Sequence, residues 1–230
     1  MKIVTDSRDI KYDSGFQRML LTAMTETTTE NPTDDIQEQR SRDLARMKKV
    51  GTKHAATVLA ALTIWGAADY WASGSGLLLA EGIALLNALF VGVIIASIAH
   101  EWGHFSGARI TGSVSPVMKE PVSFFMFTFK DEVNSREQFL TMSMGGPVAN
   151  WLLVLGLFFL LPLETWSQAL LLATTFAMAV SVCVFEFPVI NSVMYGENPD
   201  ETIQRRLREI GNTSRIAGIA AGAAVWLLAI

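Results

Sequence analysis

The chain has 230 residues, half of them hydrophobic and only 17% charged, which is apolar for a soluble domain of this length. Its net charge of -4 comes with no basic patch interleaved with aromatics, which argues against a nucleic-acid partner. The lone cysteine, Cys183, lies in an apolar run and excludes an internal disulfide.

The distribution of charge says more than its sum. All 18 Lys and Arg fall in three blocks, ten between Lys2 and Lys53, four between Arg109 and Arg136, and four between Arg205 and Arg215. The stretches 54–108, 137–204 and 216–230 contain none. A water-facing surface does not go so long without a basic residue, so these stretches are expected to lie in a lipid bilayer.

In chain order, residues 1–53 read as a cytoplasmic N-terminal tail and juxtamembrane helix, and residues 54–230 as a transmembrane domain. Residues 25–35 are polar and rich in Thr and acid, the composition of a disordered tail. From Asp35 thinly spaced apolar residues (Ile36, Leu44, Met47) predict a surface helix. No signal peptide is visible, because the first apolar span begins after residue 54.

Crossing a bilayer takes roughly 20 apolar residues in helix. Five segments are candidates: 55–73, 77–108, 138–162, 167–190 and 214–230. The fold expected is therefore an all-α polytopic membrane protein of about five transmembrane helices. Between the second and third, Val122 to Lys130 is too short to span as a helix and has the aromatic and β-branched content of a strand or re-entrant hairpin. With a cytoplasmic N-terminus, all three basic blocks fall on one side of the membrane, as the positive-inside rule requires. Gly218 and Gly222 in the last span have the spacing that permits close helix packing.

His100, Glu101 and His104 form an HExxH motif near the end of the second span. On a helix, positions i and i+4 share one face, so both imidazoles can ligate one Zn²⁺ and Glu101 can act as general base. Ionisable residues are expensive in an apolar helix and are usually functional there. A catalytic zinc has three protein ligands and an open position. The second and fourth spans run in the same direction, so the third ligand is expected near the end of the fourth. That region offers Glu186, Asn191, Glu197, Asp200 and Glu201.

With HEWGH at 100–104, GGPVAN at 145–150 and NPD at 198–200, the chain resembles the site-2 protease family of intramembrane zinc metalloproteases. The resemblance covers roughly residues 80–210. It implies Zn²⁺ held by His100, His104 and Asp200, with Glu101 as the catalytic residue. It also places Asn150, with Gly146 and Pro147, beside the active site as substrate-binding residues. Asp200 is followed by Glu201 rather than glycine, and Pro188 and Asn191 mark a second place for the ligand, with Asn191 or Glu186 as donor. The run Asn198-Pro199-Asp200-Glu201 also reads as a helix start. The activity implied is hydrolysis of a transmembrane or membrane-proximal protein substrate near the cytoplasmic face. The compact size suits a bacterial inner membrane. The competing expectation is a non-catalytic membrane scaffold that keeps the protease fold.

Overall fold

The computed structural model describes residues 32–229 other than Ser123. Of the described residues, those up to Ala45 and those from Arg46 onward belong to two separate units. Most of the tail expected at 25–35 lies outside the described residues; Pro32 to Asp35 are already helical.

The chain is mostly helical, with helices α1 (Pro32–Ser75), α2 (Leu78–Ile110), α3 (Arg136–Leu160), α4 (Trp166–Met194) and α5 (Pro199–Ala229). Strands β1 (Val117–Val122) and β2 (Phe125–Phe127) form an antiparallel hairpin between α2 and α3. The hairpin starts earlier than the strand expected at 122–130, and Thr128 to Lys130 carry no strand.

Among the described residues, three helices, not five, are long and apolar enough to cross a membrane: α2, α3 and α4. The count falls short of the expectation because α1 and α5 are long helices with polar halves. In α1 the apolar stretch is diluted by Thr57, Thr63, Asp69 and Tyr70, and α5 opens with Arg205, Arg206, Arg208 and Glu209. Their apolar halves nonetheless pack along the three. Ala61 and Trp65 of α1 sit against Ala88, Val91 and Ile95 of α2, and Ala68 and Ala72 against Ala80 and Ala84. The buried Trp65 indole donates to Ser167 Oγ at 2.7 Å, tying α1 to α4.

Glycine permits close approach at two helix crossings. A Cβ on either Gly103 or Gly145 would lie 2.2 Å from the other's carbonyl oxygen, so the α2 and α3 backbones touch there. A Cβ on Gly218 or Gly222 would meet backbone oxygen of α4 at 2.5 or 2.8 Å, so this expected pair does seat α5 on α4. No side chain larger than hydrogen fits at such contacts.

The hairpin is anchored under the C-terminal end of α2. Val117, Met126 and Phe127 form one buried cluster with Val50, Phe105 and Ala108. Burying such side chains contributes roughly 1.5–3 kcal/mol each, enough to hold a short sheet that would be marginal alone.

Candidate metal centre

The HExxH segment lies inside α2, so its two histidines project from one face. His104 Nδ1 is 2.8 Å from the Met142 carbonyl oxygen of α3. A carbonyl only accepts, so Nδ1 carries the proton and Nε2 is left with its lone pair toward the cavity. His100 Nε2 lies 2.9 Å from His104 Nε2. Glu186 Oε1, from α4, lies 3.0 Å from His100 Nε2 and 3.2 Å from His104 Nε2.

Two imidazole nitrogens and a carboxylate oxygen thus form a small triangle. Electron pairs converging at this distance repel unless a positive charge, a proton or a cation, sits among them. The donor set matches the His₂Glu sites of catalytic zinc. Its edges approach the separation of about 3.3 Å that tetrahedral geometry sets for ligands 2.0–2.1 Å from zinc. Among the described residues, these three form the cluster of His, Cys, Asp or Glu able to hold a metal ion. The residues present therefore fit zinc, with Glu186 as the third donor.

Glu101 is buried and lines the same cavity, of about 520 Å³, as His100, His104 and Glu186. Its Oε1 accepts the Met126 N–H of β2 at 2.9 Å. The rest of the lining is largely apolar and comes from several elements: Phe125, Phe139, Val189 and Leu207 represent β2, α3, α4 and α5. The chain matches no protein-family model, no curated protein and no solved structure.

Asp200, the expected third ligand, is elsewhere. It opens α5 and lines a separate pocket of about 310 Å³ with Asp131, Arg136 and Glu197. The helix-start reading of this run describes it: Asn198 Oδ1 accepts from Glu201 N at 3.2 Å, and Pro199 takes the first helical position. Asn191 is exposed on α4 and outside the cluster. Nearby, Arg205 pairs with the exposed Glu197 and holds its carboxyl below the usual range.

Partial burial, the charges of Asp200 and Glu132, and a hydrogen bond with Asp200 push the Asp131 carboxyl up to about 6. A raised carboxyl is penalised in the folded state once ionised, so the penalty is full above pH 6 and fades as pH falls toward the ordinary Asp value. Asp131→Asn is therefore expected to stabilise the protein at pH 7.5, by at most about 1 kcal/mol because water reaches the pair. In thermal melts the gain should shrink through pH 5 and vanish below about pH 3.8, the ordinary Asp value.

The residues expected to contact substrate lie behind the candidate metal centre. Gly146, Pro147 and Asn150 are on the buried face of α3, and none lines the cavity. A Cβ on Gly146 would meet His100 Cε1 at 2.4 Å and His104 Cε1 at 2.6 Å. Glycine is needed here so that both rings can lie against the α3 backbone. Gly146→Ala is expected to displace the rings and weaken zinc binding at least roughly tenfold, the scale of disturbing a ligand's support. Gly156→Ala, with nothing within 4 Å of its added Cβ, is expected to leave binding unchanged.

His54 has a structural part beside the cluster. Burial and the adjoining Lys53 hold it below its ordinary pKa. Its Nδ1 accepts the Trp102 indole N–H at 3.1 Å, so it fastens α1 beside the HExxH turn.

Proposed function

We propose that this protein is an integral membrane zinc endopeptidase of the site-2 protease type. The observation that carries the reading is the convergence of His100, His104 and Glu186 on one point, beside Glu101, in a cavity bounded by apolar helices. Zinc held there would supply Lewis-acid activation of water and of the scissile carbonyl. Glu101 accepts a proton from the attacking water and returns it to the leaving amine. His104 is kept in the required tautomer by Met142, and Glu186 brings negative charge to the same point.

The substrate is a membrane-embedded or membrane-proximal protein segment. The apolar lining of the cavity favours such a segment over a hydrated peptide. Helical substrate must unwind to expose its carbonyls. The hairpin offers a place for it: Phe125 and Phe127 pair with Val122 and Val117 of β1 across an irregular register, and the intervening Met126 N–H donates to Glu101. An extended segment added along β2 meets the catalytic carboxylate.

The ends of α2 and α4 that carry the cluster, and the start of α3, bear the basic residues Arg109, Lys119, Lys130, Arg136 and Arg205 on or beside them. The positive-inside rule makes that side cytoplasmic, with the N-terminal segment there too, in a bacterial inner membrane.

The test pairs zinc analysis with cleavage in reconstituted bilayers. The expected result is near-stoichiometric zinc and cleavage of a membrane-anchored reporter in preference to its soluble peptide, stopped by chelator and restored by zinc. A second reading has its own support, because a protonated histidine facing Glu186 would make a buried ion pair in a non-catalytic scaffold. A wild-type protein that takes up no zinc after re-addition would establish that reading instead.

A further inference from the structure

We infer that Asn150 is a positioning residue for the metal centre: its buried amide holds His100 through Nδ1, so that Nε2 is presented to the site. The inference rests on the metal reading of the cluster. It starts from an asymmetry between the two histidines. His104 is anchored through Nδ1 to the Met142 carbonyl, whereas His100 Nδ1 is buried with no hydrogen-bond partner among the described residues. Ligating histidines nearly always donate their second ring N–H, which fixes ring orientation and tautomer.

Asn150 has the complementary deficit. Only 1% of its surface is exposed, and neither its amide nitrogen nor its amide oxygen has a partner among the described residues. A buried amide without bonds is costly and calls for a partner. The register of α2 against α3 brings the two deficits to one level. Along the crossing, Gly107 meets Thr141 and Met142, Gly103 meets Gly145 and Ala149, and Gly146 meets His100 and His104. Each turn forward on α3 is thus a turn back on α2. A Cβ on Gly146 would be 2.6 Å from His100 Nδ1 itself. Asn150 is one turn farther on the same face, where its Cβ lies roughly 5–6 Å from that position. Rotation of its side chain, or one buried water, closes the link.

The other buried polar atoms without partners do not compete for this role. Glu81 is in the first turn of α2, at the opposite end from His100, and Arg206 is on the charged half of α5. Glu186 Oε2 belongs to the ligand carboxylate itself. An Asn150 bond to that oxygen is separated from the present proposal by the choice of variant below.

The experiment measures zinc affinity by chelator competition for full-length wild type, Asn150→Leu, Asn150→Ala and Asn150→Asp in detergent, with thermal melts of the zinc-free proteins and absorption spectra of the cobalt-loaded ones. Leu and Ala are expected to weaken zinc roughly 10–100-fold, the scale for losing a ligand's hydrogen-bond partner. The Leu variant should melt no lower than wild type, since it removes an unpaired buried amide. Asp, which still accepts from Nδ1–H, should stay within about threefold of wild type, because a carboxylate is a common partner of a ligating histidine. The cobalt spectrum should change with Leu and hold with Asp.

Wild-type affinity in the Leu and Ala variants would overturn the proposal, and a rise in KM alone would return Asn150 to substrate contact. Equal loss with Asp and Ala would also overturn it, pointing to Glu186 as the partner. A wild type that binds zinc but cuts nothing would end the protease reading and leave this one standing. A wild type that binds no zinc would end both.

Discussion

Glu186→Gln is expected to strip the protein of zinc, while Asp200→Asn leaves zinc content at the wild-type level. The two carboxylates are the rival third ligands, and the fold separates them. Glu186 Oε1 lies within 3.2 Å of both histidine Nε2 atoms. Asp200 hydrogen-bonds to Asp131 in a pocket that contains neither histidine. Glutamine keeps the size of the side chain but presents a neutral amide, which binds zinc poorly beside a carboxylate. Removing a direct ligand should cost more than the roughly 10–100-fold loss seen for an outer partner. Metal analysis after dialysis against a weak chelator reads this directly, with far-UV circular dichroism to show that both variants remain helical. Zinc lost with Asp200→Asn and kept with Glu186→Gln would reverse the assignment and require α5 to approach α2 in the metal-bound protein.

The sequence carried the two histidines and Glu101 because a helix of any tilt puts i and i+4 on one face. It carried the span-length, apolar character of α2, α3 and α4 because long apolar runs need no tertiary information. The third member of the cluster was less legible. Motif resemblance pointed to Asp200, yet Asn198-Pro199 ahead of it is a strong helix start, and local capping decided the geometry. The better signal was physical: Glu186 is the only charged residue in α4, a position where a lone carboxylate is costly without a cation or a proton. The span count was overread because apolar length was weighed without the polar residues that α1 and α5 also carry. Gly146 could be flagged as a close-approach position from sequence. Which group approaches it, the imidazole rings rather than substrate, depends on the register between α2 and α3, set by the Gly103–Gly145 contact between residues 42 positions apart. No local pattern contains that register.

Glu101→Gln is expected to leave zinc bound and the hairpin in place, and to lower the cleavage rate by roughly 10²–10⁴-fold, the usual contribution of a positioned general base. The substitution isolates proton transfer because the side chain has two tasks with different requirements. One is to accept the Met126 N–H at 2.9 Å, which the amide oxygen of glutamine also does. The other is to take a proton from water, which an amide cannot do at neutral pH. If β2 is held by the first task, the hairpin and the Val117–Met126–Phe127 cluster should persist, and KM for a membrane-anchored substrate should change little while kcat collapses. Single-turnover cleavage in bilayers, with substrate binding measured separately, distinguishes these effects. A fall in binding with kcat preserved would make Glu101 a strut for the hairpin rather than a base. Full function with glutamine, in a cell-based assay as well as in vitro, would favour the scaffold, since a scaffold needs the shape of Glu101 and not its proton affinity.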